Sequence, residues 1–204
     1  MQTEEIYCDL IDGSDAGRDR FDTHVVASIL ALSYSEALAE AQPLVAAVGL
    51  DGSEFAALVT ELFPAAGASF ALPLNAVVMR GADELCLVDL LRRGATTRSV
   101  FTERLAAMIG RRAQRPNHLW QDLGLRDRGE LSRLMARHFA PLALRNSKDM
   151  KWKKFLYRTI CRDTGYSLCT APRCSECDDF EICFGEESGE SFLARARRNA
   201  EAVC

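Results

Sequence analysis

Strand-like alternation of apolar and polar residues is nearly absent from this chain. So are the glycine-rich phosphate loop and the dinucleotide fingerprint, and no nucleophile, base and orienting group fall in a recognisable arrangement. Ordinary enzyme classes therefore have little support. The first residues, MQTEEIYCDLID, contain no basic region and no long apolar run. Neither a secretory signal nor an Arg-rich transit peptide is predicted, and the cytoplasm is the expected compartment. The longest uncharged stretch, Leu62 to Met79, is interrupted by Pro64, Gly67, Ser69, Pro73 and Asn75, which predicts buried irregular chain instead of a membrane span. An excess of positive charge is also missing: 25 Lys and Arg against 29 Asp and Glu give a net charge of -4, too acidic for a typical nucleic-acid binder.

What is present is enough apolar material for a real core, 48% of 204 residues, with aromatic residues at only 8%. The chain is long enough for one domain or a domain with an appendix. Charge is uneven. Residues 1–100 carry 6 basic and 15 acidic side chains, whereas residues 101–204 carry 19 and 14. The apolar pattern is helical: Phe21, Val25, Ile29, Leu32 and Leu38 recur on one face. Ser53 is placed to cap a helix over about 53–63 that Pro64 stops, and further helices are expected at about 82–93 and 98–113. Asp127 and Glu130 form a capping-box pattern before LSRLMARHF, which Pro141 ends. The predicted fold is all-α: a helical bundle-like domain with a C-terminal cysteine-rich metal-binding loop. Residues 1–115 read as an acidic helical scaffold. Residues 116–204 hold a basic helix at 149–163, a cysteine loop at 164–189 and a terminal helix.

Eight cysteines in a reducing compartment point to metal ligands or functional thiols before a disulfide framework. Cys169, Cys174, Cys177 and Cys183 form a C-x4-C-x2-C-x5-C array. Structural zinc usually takes two short knuckles set well apart, and this loop has one. An iron-sulfur cluster is larger, so one chain wraps it with unequal short spacings, and the array fits a cluster better. Zinc and redox thiols remain the alternatives. Pro172 stiffens the first interval. The loop carboxylates Glu176, Asp178, Asp179 and Glu181 either disfavour reduction of an anionic cluster or merely solvate the loop.

The run MKWKKFLYRTIC, followed by this array and FG, resembles the NifQ family of nitrogen-fixation proteins. The resemblance extends to NHLWQDLGL at 117–125, to the LM and HF of LSRLMARHF, and to Asn146. It implies that Cys169, Cys174, Cys177 and Cys183 hold a molybdenum-iron-sulfur cluster. It implies a molybdenum donor in biosynthesis of the nitrogenase iron-molybdenum cofactor: a carrier instead of a turnover enzyme. Its partners would be the nitrogenase iron protein and the scaffold complex on which the cofactor is built, with no nucleic acid and no membrane.

Other residues add candidate roles. On the 149–163 helix, Trp152, Phe155, Leu156, Thr159 and Ile160 share an apolar face, while Lys151, Lys154, Arg158 and Arg162 form a basic row. That row could attract molybdate, a tetrahedral dianion, dock an acidic partner, or simply be a solvated face. Cys161 reads as an additional ligand or a small buried residue, and His118 and His138 as ligands, proton-exchange groups or satisfied structural histidines. His24 has no evident chemical company. Trp120 and Trp152 read as packing anchors, and Cys8, Cys86 and Cys204 as incidental. Two other functions compete: an iron-sulfur DNA-repair glycosylase, for which no helix-hairpin-helix with paired glycines is found, and a zinc-stabilised interaction module.

Overall fold

The computed structural model describes residues 3–66 and 75–163, and within them the regular structure is entirely helical. The cysteine array Cys169, Cys174, Cys177 and Cys183, the loop at 164–189 and the expected terminal helix lie outside the described residues. The elements run α1 (Thr3–Asp12), α2 (Arg20–Ala39), α3 (Leu44–Val48), α4 (Gly52–Leu62), α5 (Ala82–Arg93), α6 (Val100–Arg112), α7 (Leu119–Asp122), α8 (Arg128–His138), α9 (Ala140–Arg145) and α10 (Trp152–Asp163). No helix among them is long and apolar enough to cross a membrane.

The fold is organised around α2. Its Ala- and Ser-rich run is buried on most sides, from Val25 through Ser33, because small side chains let neighbouring helices approach closely. Asp19 starts it, accepting hydrogen bonds from the amides of Phe21 and Asp22, each at 3.0 Å. The expected apolar face holds for Phe21, Val25, Ile29 and Leu32, but Leu38 is 59% exposed, while Ala37 beside it stays in the core. One hydrophobic core extends from Ile6 and Leu10 on α1 to Trp152, Phe155 and Leu156 on α10, including residues on both sides of position 115. Trp120 and Trp152 are both in it.

Three local expectations are corrected. Ser53 is not the cap of α4. That position belongs to Asp51, whose Oδ1 accepts instead from the Val78 amide at 2.7 Å. The carboxylate thereby secures the irregular segment 76–80 that precedes α5. In this segment Val78 is buried, whereas Val77 and Met79 are exposed, so the described end of the uncharged stretch does not lie wholly inside. At α8, Asp127 accepts from the Glu130 amide at 2.9 Å as predicted, but the Glu130 carboxylate turns to the Arg126 amide and to His24. Pro141 both ends α8 and sits in the first turn of α9, where its missing N–H costs nothing.

Candidate functional site

The basic helix α10 begins at a pinned corner. The buried Asn146 side chain brackets Met150, its Oδ1 accepting from the Met150 amide at 2.9 Å and its Nδ2 donating to the Met150 carbonyl at 2.8 Å. Arg128 donates to the carbonyl of Asp149 at 2.7 Å. Asp149 adopts a positive φ of 52°, which a short polar side chain tolerates better than most. Trp152 then buries its ring against Phe155 and donates its indole N–H to Ser132 Oγ at 3.2 Å. Phe155, Leu156 and Thr159 follow into the core, and Ile160 is partly buried against it.

With the apolar face committed, the cations divide. Lys154 and Arg162 are exposed, and Lys151 and Arg158 are half-buried and each engaged in an interaction. The sequence-derived row thus occupies one face of α10. Cys161, also half-buried and engaged, lies between that row and Tyr157 around the helix.

Lys153 belongs to neither face. Its ammonium contacts Asp122 Oδ2 and the carbonyl of Arg115, and Asp122 is fully buried at the end of α7. Burial pulls the Lys153 amine below its ordinary range, with the hydrogen bond and charge of Asp122 opposing. Asp122 Oδ1 accepts from Asn117 at 3.1 Å, and the Asp122 carbonyl accepts from Arg112 Nε at 2.6 Å. Arg112 is 1% exposed and closes a bidentate pair with Glu36 of α2, at 2.6 and 3.0 Å. Arg115 extends the network to Glu36 at 3.3 Å and to Glu40. Three cations and three carboxylates from α2, α6, α7, α10 and the turn after α6 are therefore interleaved.

The predicted histidines do not gather on α10. His138, at the end of α8, places Nε2 2.8 Å from Asp22 Oδ1 and packs against Phe101. His118 starts α7, where its amide donates to Gln121 Oε1 at 3.3 Å. His24, expected to be without company, lies between the Tyr7 hydroxyl at 2.8 Å and Glu130 at 3.3 Å. Burial of Glu130 opposes its ionisation, but the hydrogen bond from His24, the Arg126 amide and both positive neighbours lower its pKa overall. Among the described residues no group of three or more His, Cys, Asp and Glu side chains could hold a metal.

The α10 segment and its Asn146 and Asp122 supports lie within the part of the chain that a family profile recognises: NifQ matches residues 25–185. The chain belongs to the NifQ family. NifQ proteins are a nitrogen-fixation family. The chain is 41% identical to the Protein NifQ homolog of Sinorhizobium fredii over 183 residues, 89% of this chain and 80% of that relative. It is 38% identical to Protein NifQ of Rhodobacter capsulatus over 161 residues, 78% and 87% of the two chains. A shorter match to Protein NifQ of Azotobacter vinelandii shows 40% identity over 83 residues, 41% of this chain and 43% of the other. No solved structure matches.

Sequence reasoning missed Lys153, Asp122, Asn117 and Arg112. A signal was available: Asp122 sits inside the apolar run LWQDLGL, and Lys153 falls off the basic row at helical spacing.

Proposed function

We propose that this NifQ-family chain is a molybdenum donor for biosynthesis of the nitrogenase iron-molybdenum cofactor, carrying the metal as a molybdenum-iron-sulfur cluster on Cys169, Cys174, Cys177 and Cys183. The supporting observation is on α10: Lys154 and Arg162 are exposed on the basic face of this helix, and the first cysteine of a four-thiol array follows Asp163 closely in the sequence. The donor set suits this cargo. Thiolates are soft ligands that hold iron and molybdenum with sulfide, whereas hard oxygen ligands would favour magnesium or calcium.

The two halves of the arrangement do different work. Molybdate is a dianion, and a row of cations raises its local concentration as it would that of phosphate. Sulfur ligands then replace oxo groups, and each oxo group that departs takes up two protons and leaves as water. Metal passes onward to the nitrogenase iron protein and the cofactor scaffold complex. In this reading the chain binds and presents metal in the cytoplasm and does not turn over a substrate.

The test of capture is charge reversal on the exposed part of the row. Protein carrying Lys154→Glu and Arg162→Glu, purified without oxygen from molybdate-supplied cells, should retain iron and lose molybdenum. Molybdenum loading equal to that of the unaltered chain would overturn the role of the row.

A further inference from the structure

Lys153 and Tyr157 stand one helical turn apart on the same flank of α10, and Cys161 is the next residue along that stripe. Both of the first two are tethered. Lys153 is seated on Asp122, with their side chains 18% and 1% exposed. The Tyr157 hydroxyl accepts from Gln114 Nε2 of the turn after α6 at 3.1 Å. The opposite flank is held by Trp152, Phe155 and Leu156; the Trp152 indole N–H on Ser132 fixes its first residue, and beyond it apolar burial is not directional. Such packing secures the helix against the core but tolerates small rotations about its axis. Two polar tethers one turn apart do not.

The choice of a buried ion pair needs its own reason, since apolar residues of similar size often stabilise as well or better. What an ion pair adds is a single register. Asp122 accepts only where Asn117 and the Arg112–Glu36 pair have fixed it, so Lys153 has one place to go. Asn146 fixes the start of the helix in the same way. The segments NHLWQDLGL and MKWKKF, and Asn146, therefore converge on one corner of the fold.

We infer that Lys153 is a positioning residue: seated on Asp122, it sets the rotation of α10, and thereby the joint presentation of Cys161 and the basic row on the segment that precedes the cysteine array in the sequence. The consequence for metal rests on the donor reading; the rotation does not.

The experiment compares the unaltered chain with the charge-neutral pair Lys153→Met with Asp122→Asn, and with Lys153→Arg. On metal-free protein, iodoacetamide alkylation is followed residue by residue by mass spectrometry, together with amide exchange over 152–163. In the neutral pair, Cys161 should label about tenfold faster, the change in open population produced by losing about 1.4 kcal/mol. Cys8 and Cys86, exposed on α1 and α5, should not change. Lys153→Arg keeps a cation on Asp122 and should stay close to the unaltered rate. A neutral pair with unaltered Cys161 labelling and α10 exchange would overturn the inference and make the ion pair merely structural. On metal-loaded protein the same pair should lose iron and molybdenum while its thermal midpoint recovers relative to Lys153→Met alone. An unaltered chain devoid of both metals would overturn the donor reading, and the metal-free labelling would still decide the role of Lys153.

Discussion

Replacing Arg112 by Met keeps most of the aliphatic volume and removes the charge at the centre of the buried network. Glu36 then loses a bidentate partner at 2.6 and 3.0 Å, and the Asp122 carbonyl loses its donor at 2.6 Å. Breaking a buried pair by removing one member costs about 3–5 kcal/mol. The lower end applies, because Glu36 is 18% exposed and keeps Arg115 at 3.3 Å. The orphaned carbonyl adds about 1 kcal/mol, for a total near 4 kcal/mol. At about 2–4 °C per kcal/mol for a chain of this size, the thermal midpoint should fall by roughly 8–16 °C. Circular dichroism at 222 nm during heating reads this directly. Adding Glu36→Gln removes the stranded carboxylate and should restore part of the loss. A midpoint for Arg112→Met within about 2 °C of the unaltered protein would refute the view that this pair is buried and coupled.

Asp19 caps α2 and pairs with Arg137, whose hydrogen bond is the largest of the influences drawing its pKa from 3.8 to about 2. A depressed carboxylate contributes stability above its unfolded pKa and loses it as pH falls through the folded one. Asp19→Ala should therefore cost about 1 kcal/mol near neutrality, with the gap to the unaltered chain closing between pH 4 and 2 in urea titrations; a gap independent of pH there would contradict the pairing. Gly124 has φ +70°, and a Cβ on it would meet the Ser28 carbonyl oxygen of α2 at 2.7 Å. Gly124→Ala should cost about 2–3 kcal/mol through strain and collision, whereas Gly81→Ala, with nothing within 4 Å, should be near neutral. Equal denaturation midpoints for the two would contradict the close approach of the turn after α7 to α2.

Local chemistry was the legible part of the fold. The helix expected at 82–93 is α5, bounded by glycines at 81 and 94, and α6 starts just after Ser99, whose hydroxyl accepts from the Thr102 amide at 3.1 Å. The difference at Ser53 is one of boundary: α4 begins at Gly52, and the carboxylate of Asp51 before it is taken by the distant amide of Val78. Short helices such as α3, α7 and α9 escaped notice because fewer than two turns display no periodicity. At the candidate site, the apolar face of α10 and the exposure of Lys154 and Arg162 were readable from spacing. Lys153 and Asp122 each stood out in their own segments, but their pairing was not readable, since the two lie 31 residues apart and nothing local joins them. His24 shows the same blindness over 106 residues to Glu130. The four-cysteine array lies beyond the described residues.

The most direct measurement is metal analysis with an absorption spectrum on protein purified without oxygen from molybdate-supplied cells, beside a Cys177→Ser variant. Molybdenum and iron together, both lowered in the variant, are the predicted result. Zinc alone in a colourless sample would contradict the account by making the array structural, and iron without molybdenum would leave a cluster protein that donates nothing to the cofactor.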